Sequence, residues 1–109
     1  MKIGFIGLGN MARAMIGGML QKEMVKPEEI IGSAKTRETR EKMAAEYGIV
    51  TMEKNADVAA QADMLVLAVK PQFFEEVIHE IKDATRPETL IISIAAGKSI
   101  QWIEDAFAR

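Results

Sequence analysis

Residues 5 to 15 read FIGLGNMARAM, an apolar run broken by two glycines that then takes on helical spacing. Gly7, Gly9 and Ala12 form the pattern G-x-G-x-x-A. Between a strand and a helix, each of these positions has its own physical task. Gly7 permits the tight turn out of the strand, Gly9 lets a pyrophosphate reach the backbone, and Ala12 lets the helix pack close to the sheet. The start of the helix then offers unpaired N–H groups and partial positive charge to an anion. Such a turn, opening a strand–helix–strand pattern, predicts a bound dinucleotide. The plainer alternative is a tight strand–helix turn that holds nothing. Gly17 and Gly18 lie inside the helix, where each costs about 1 kcal/mol relative to alanine. Close packing against a neighbouring strand is the expected reason for them.

A fold that takes NAD usually ends its second strand in an acid, which accepts a hydrogen bond from the ribose 2′-hydroxyl. Here that place reads Gly32-Ser33-Ala34-Lys35-Thr36-Arg37, with two hydroxyls and two cations. Glu28 and Glu29 come before the strand, and Glu38 falls in the next helix. Ser33, Lys35, Thr36 and Arg37 suit a 2′-phosphate, through charge-assisted hydrogen bonds that an acid would repel. The expectation is NADP(H) in preference to NAD(H). The alternative is that Lys35 and Arg37 are solvated residues at a helix start and that backbone shape chooses the cofactor.

Short apolar runs alternate with amphipathic segments and supply the scaffold. Strands are expected at residues 2–6, 29–34, 49–52, 63–69 and 89–95. The run MLVLAV has no polar interruption, as in a parallel strand buried on both faces. Helices are expected at 10–22, 36–47, 55–62, from Pro71 onward, and at 99–109, with a turn at 25–28. Met11, Ala14, Met15, Gly18 and Met19 mark the expected core stripe of the first helix, and Phe74, Val77, Ile78 and Ile81 that of the fourth. Thr36 and Asn55 read as N-caps, and Gly48 as a stop. His79 and the segment EEVIHEIKDATRPE read as solvated, and Trp102 and Phe107 as packing residues. The pattern predicts an α/β fold: a Rossmann-type, doubly wound parallel sheet of about five βα units with helices on both faces.

The 109 residues are 49% hydrophobic and 28% charged with a net charge of −2, the balance of one soluble domain. That charge favours neither nucleic acid nor an anionic membrane as partner. With no cysteine and one histidine, neither a disulfide nor a Cys- or His-rich metal site is expected, and a reducing, cytoplasmic setting fits. Lys2 before an apolar stretch suggests a signal peptide, but Asn10 and Arg13 interrupt it. No apolar run reaches the about 18 residues of a membrane span.

The stretches MKIGFIGLGNMARAMIGGML, LAVKPQ and IISIAAGKSI together resemble the N-terminal, NADP-binding domain of the pyrroline-5-carboxylate reductases. The resemblance runs through essentially the whole chain. GLGNMA is shared by many reductases, whereas AVKPQ after the fourth strand with SIAAG after the fifth is more specific. The resemblance implies reduction of the imine of 1-pyrroline-5-carboxylate to L-proline with NAD(P)H, this chain supplying the cofactor-binding part. It implies that Ile6, Gly7, Leu8, Gly9, Asn10 and Met11 hold the pyrophosphate. Ser33 would take the 2′-phosphate end, with Lys35, Thr36 and Arg37 as helpers, and Asn55 would contact the adenosine half. Ala68, Val69, Lys70 and Pro71 would line the nicotinamide ribose, and Ala95, Ala96 and Gly97 would lie near the nicotinamide. Lys70 is also biased to an extended backbone by the proline after it, and Pro71 suits a first helical turn.

In that family an all-helical second domain builds the dimer and much of the imino-acid site. The resemblance therefore places the catalytic residues outside these residues, implies a homo-oligomer for the full-length protein, and implies that the 109 residues alone bind cofactor without turnover. Competing readings are another reductase of the same fold (a 3-hydroxyacid dehydrogenase relative, an imine reductase or a deazaflavin-dependent NADP reductase) or a non-catalytic NADP(H)-binding module.

Overall fold

The computed structural model describes residues 1–93. Strand β1 (Ile3–Ile6) runs into helix α1 (Asn10–Gln21), and a 3-10 turn at Pro27–Glu29 leads into β2 (Ile30–Ser33). Helix α2 (Arg37–Tyr47), β3 (Val50–Met52), α3 (Asn55–Gln61) and β4 (Met64–Leu67) follow. A second 3-10 turn at Pro71–Phe73 opens α4 (Phe74–Ile81), and β5 is Leu90–Ser93. The five expected strands and the first four expected helices are here, trimmed at their ends. The predicted helix at 99–109 lies outside the described residues, as do Trp102, Phe107, Ala95, Ala96 and Gly97.

All strand pairs are parallel, in the order β3-β2-β1-β4-β5. Side chains alternate across the sheet with a period of two. Ile3 and Phe5 pack with Ala12, Ile16 and Met43 under α1 and α2. Ile6 packs on the other face with Val58, Phe74 and Ile81 of α3 and α4. In β4, Leu65 and Leu67 face α3 and α4 while Val66 faces α1 and α2. Both faces being covered, this strand needs no polar alternation, which explains its unbroken apolar run.

Helix α1 is turned about one residue away from the expected stripe. Ala12 and Ile16 are buried, Met15 and Met19 are partly buried, and Met11 is 57% exposed; Ala14 and Gly18 are not core either. The small Ala12 must face the sheet for the helix to lie close, and this sets the phase of the whole helix. The two mid-helix glycines are not needed for strand packing. A Cβ on Gly17 would reach ordinary contact with Tyr47 of α2, and one on Gly18 would meet nothing within 4 Å among the described residues. Thr36 caps α2 by accepting a hydrogen bond from the Thr39 N–H at 3.3 Å, Gly48 ends that helix, and His79 is exposed. No described helix is long and apolar enough to cross a membrane.

The end of the sheet away from the glycine turn is tied by Asp63. Its carboxylate accepts from the Lys2 N–H at 2.8 Å and from Arg86 at 2.9 Å. Arg86 also donates to the Ala62 carbonyl at 2.7 Å. The Lys2 N–H first, and Arg86 second, hold the Asp63 carboxyl below the usual aspartate range. A lowered folded-state pKa stabilises the fold above the unfolded value and is lost as pH falls through the folded one. Asp63→Asn should therefore melt below the parent at neutral pH. The gap should persist down to about pH 4 and close below it, as read from thermal melts across that range.

Candidate functional site

The parallel register brings the strand ends level. Ile6 lies opposite Ser33 of β2 and Leu67 of β4, and Leu67 lies opposite Ser93 of β5. The chain leaves β1 toward one face of the sheet and β4 toward the other. A crevice opens at such a switch in strand order, beyond the carboxyl ends of the strands. A cleft of about 400 Å³ occupies it, lined by Gly7, Leu8 and Gly9 after β1, Ser33, Lys35 and Thr36 after β2, Asn55 of α3 and Val69 after β4.

Gly7 adopts φ +98°, and a Cβ there would stand 3.0 Å from Val69 Cγ1 and 3.1 Å from the Ala68 carbonyl oxygen. Its N–H donates to the Ser33 carbonyl at 3.2 Å. Backbone shape and crowding both demand glycine there. Gly9 is different. Its backbone is extended, and a Cβ there would meet nothing within 4 Å among the described residues. The protein leaves open space beside it. Gly9 also starts α1, accepting from the Arg13 N–H at 3.0 Å, and among the described residues no side chain caps that helix start. Bare backbone, free N–H groups and open space together make an anion cradle.

The remaining expected residues divide. Ile6 is fully buried, so its side chain belongs to the core. Asn10 and Met11 are exposed and outside the cleft lining. Ala68 donates its N–H to the Ile6 carbonyl at 2.9 Å, which fixes the loop after β4. Lys70 has the extended backbone expected of it and Pro71 opens the 3-10 turn, but Ala68, Lys70 and Pro71 do not line the cleft.

Of the group around the second strand's end, Lys35 is exposed and lines the cleft. Thr36 lines it too, but its hydroxyl is engaged with Thr39 at 2.8 Å. Arg37 does not line it and is paired with Glu41 at 2.7 Å. Arg40 was not singled out from the sequence, yet it donates to the Ala34 and Lys35 carbonyls at 2.8 and 3.1 Å and so holds the turn that carries Lys35.

Asn55 is not the cap that its position in the sequence suggested. Lys54 occupies the N-cap and Asn55 is the first helical residue. Its amide is spent elsewhere, accepting from the Ser33 hydroxyl at 2.6 Å and donating to Glu80 at 3.1 Å. Phe73, Glu76, Val77 and Glu80 also line the cleft. They recur at i, i+3, i+4 and i+7, the spacing of one helical face. Glu76 and Glu80 are exposed, as expected of that segment, and their exposed face borders the cleft. That spacing was visible in the sequence, but the direction it faces was not.

Residues 2–97 match the family described as NADP oxidoreductase, coenzyme F420-dependent. The chain belongs to this family. It is 46% identical over 96 residues to a pyrroline-5-carboxylate reductase of Pseudomonas aeruginosa, which covers 88% of this chain and 35% of the relative. It is 39% identical over 105 residues to the enzyme of that name from Methanosarcina acetivorans, covering 96% of this chain and 39% of the relative. Among solved structures, a pyrroline-5-carboxylate reductase of Coxiella burnetii superposes with a TM-score of 0.92 at 32% identity, over 99% of this chain and 40% of that one. The Plasmodium falciparum pyrroline carboxylate reductase with NADP bound gives 0.83 at 28% identity, over 97% and 37% of the two chains. This family member thus spans 35% to 40% of the length of these relatives. A Mycobacterium tuberculosis 3-hydroxyisobutyrate dehydrogenase, at 22% identity and a TM-score of 0.77, shares the fold.

The two cleft glycines should respond differently to one added methyl group. Gly7→Ala should lose about 1–2 kcal/mol or more, because its φ is strained for an L-residue. Gly9→Ala should stay within about 0.5 kcal/mol of the parent. Urea unfolding of both variants checks this.

Proposed function

We propose that this chain is the NADP(H)-binding part of a pyrroline-5-carboxylate reductase, which reduces the imine of 1-pyrroline-5-carboxylate to L-proline. The observation that carries the reading is the open space beside Gly9, at an uncapped helix start and continuous with a cleft that ends at Lys35. The relatives named for that reaction support it. Bound NADPH would supply the hydride.

The chain's own part is to bind and orient. Leu8 and Gly9 present backbone N–H groups to the pyrophosphate, and Gly7, its own N–H bonded to the Ser33 carbonyl, shapes the turn that brings them there. Val69, Phe73 and Val77 give the cleft an apolar wall for the adenosine half, with Asn55 at its edge. Lys35 makes no ion pair among the described residues and is the cation free to meet a 2′-phosphate. Lys70, held extended beyond β4, and Pro71, which opens the 3-10 turn, would flank the nicotinamide ribose. Ala95, Ala96 and Gly97 would lie by the nicotinamide. Orienting the cofactor accounts for much of what a protein contributes to hydride transfer. The imino-acid site and the proton donor would be completed by residues beyond these 109. The whole enzyme would be a cytoplasmic homo-oligomer acting on a small molecule.

Fluorescence titration should give tighter binding of NADPH than of NADH, and tighter binding of NADH would overturn the preference. Lys35→Ala should weaken NADPH about three- to tenfold and NADH less than about twofold, since only the 2′-phosphate gains the charge-assisted bond. Gly9→Ala should keep the fold and weaken both cofactors about tenfold or more, a tenfold loss being about 1.4 kcal/mol. Proline formation by the 109 residues alone would overturn the placement of the chemistry beyond them.

A further inference from the structure

The sequence has no acid at the end of β2, yet the fold delivers one to that place from α4. The Ser33 hydroxyl donates to Asn55 Oδ1 at 2.6 Å, and Asn55 Nδ2 donates to Glu80 Oε2 at 3.1 Å. All three residues line the cleft. Ser33 is buried, Asn55 half-buried and Glu80 exposed, so the chain of hydrogen bonds runs from the cleft floor to its rim.

The direction of that chain follows from its last member. An ionised carboxylate only accepts hydrogen bonds. Glu80 therefore draws the amide nitrogen of Asn55 toward itself, which turns the amide oxygen toward Ser33. The second acceptor within reach of Ser33 Oγ, the Phe5 carbonyl at 3.4 Å, is likewise no donor. The Ser33 proton thus points into the protein, and the hydroxyl turns its lone pairs to the cleft. A ribose 2′-hydroxyl can donate to those lone pairs, whereas a phosphate has no proton to give them. Glu80 also places a negative charge on the α4 wall, across from Lys35, and makes no ion pair among the described residues. The 2′-phosphate is attracted from the β2 side and opposed from the α4 side.

We infer that Glu80 is a positioning and specificity-determining residue for the cofactor. By orienting Asn55 and Ser33 and opposing the 2′-phosphate, it holds down the preference for NADPH and keeps NADH acceptable. This rests on the NADP(H) reading of the cleft given above. Replacing Glu80 by glutamine removes the charge and supplies a donor as well as an acceptor. The Asn55 amide can then reverse, and the Ser33 proton is freed for the phosphate. Both effects act in the same direction.

The test is equilibrium binding of NADPH and NADH to the full chain and to its Glu80→Gln variant, at one low salt concentration, with thermal melts alongside. Glu80 is an exposed helical residue, so the variant should melt with the parent. The ratio of NADPH to NADH affinity should rise about three- to tenfold, as expected for removing one charge near another at a solvent-exposed site. Tighter NADPH binding should supply most of the change. A merely structural role for Glu80 would weaken both cofactors alike and leave the ratio unmoved. An unchanged or lower ratio, in a parent that binds both cofactors, overturns this inference and leaves the functional reading standing. A parent that binds neither overturns both.

Discussion

The turn at Gly7 is wedged among the ends of three strands. Its N–H reaches the Ser33 carbonyl at the end of β2, and its bare Cα lies against Ala68 and Val69 just beyond β4. A side chain would have to push one of those strand ends away. The left-handed backbone at Gly7 also aims the chain so that α1 begins, uncapped, over the crevice. The level of the cleft floor, the approach of the β4 loop and the direction of the helix start therefore depend on one residue that has no side chain.

The polar chain and the apolar core are mechanically one unit. Phe74, Val77, Ile78 and Ile81 lock α4 against the sheet and α3. That packing sets the rotation of α4, and the rotation carries Glu76 and Glu80 round to the cleft. Glu80 then meets Asn55, whose own helix is held on the same face through Val58 and Ala59. A buried hydroxyl such as Ser33 needs a hydrogen-bond partner, and Asn55 provides it at 2.6 Å. Hydrophobic burial thus decides which polar groups can finish the site, and the polar groups decide which way its protons point.

Much of this was legible in the residues themselves. Strands β1 to β5 and helices α1 to α4 could be read from short apolar runs and helical periodicity, because buried parallel strands and amphipathic helices carry strong local patterns. Gly7 and Gly9 were legible because their tasks are local to one turn. Less was legible where several local solutions are equally good. Helical spacing puts the stripe of α1 on its methionines, since Met11 and Ala12 are both apolar and only the sheet selects Ala12. Asn55 looked like a cap because helix starts favour asparagine, but the nearby Ser33 and Glu80 offered its amide better partners.

By itself, the sequence determined an α/β dinucleotide fold, the phosphate turn at Gly7 and Gly9, and the absence of an acid at the end of the second strand. Those are properties of residues a few positions apart, and backbone sterics and side-chain periodicity act over that range. Only the tertiary structure decided which cation reaches the cleft and which acid replaces the missing one. Lys35 faces it, while Arg37 turns away to Glu41. Glu80 arrives from 25 residues beyond Asn55. Register and helix rotation set those approaches, and both are settled by how whole elements pack.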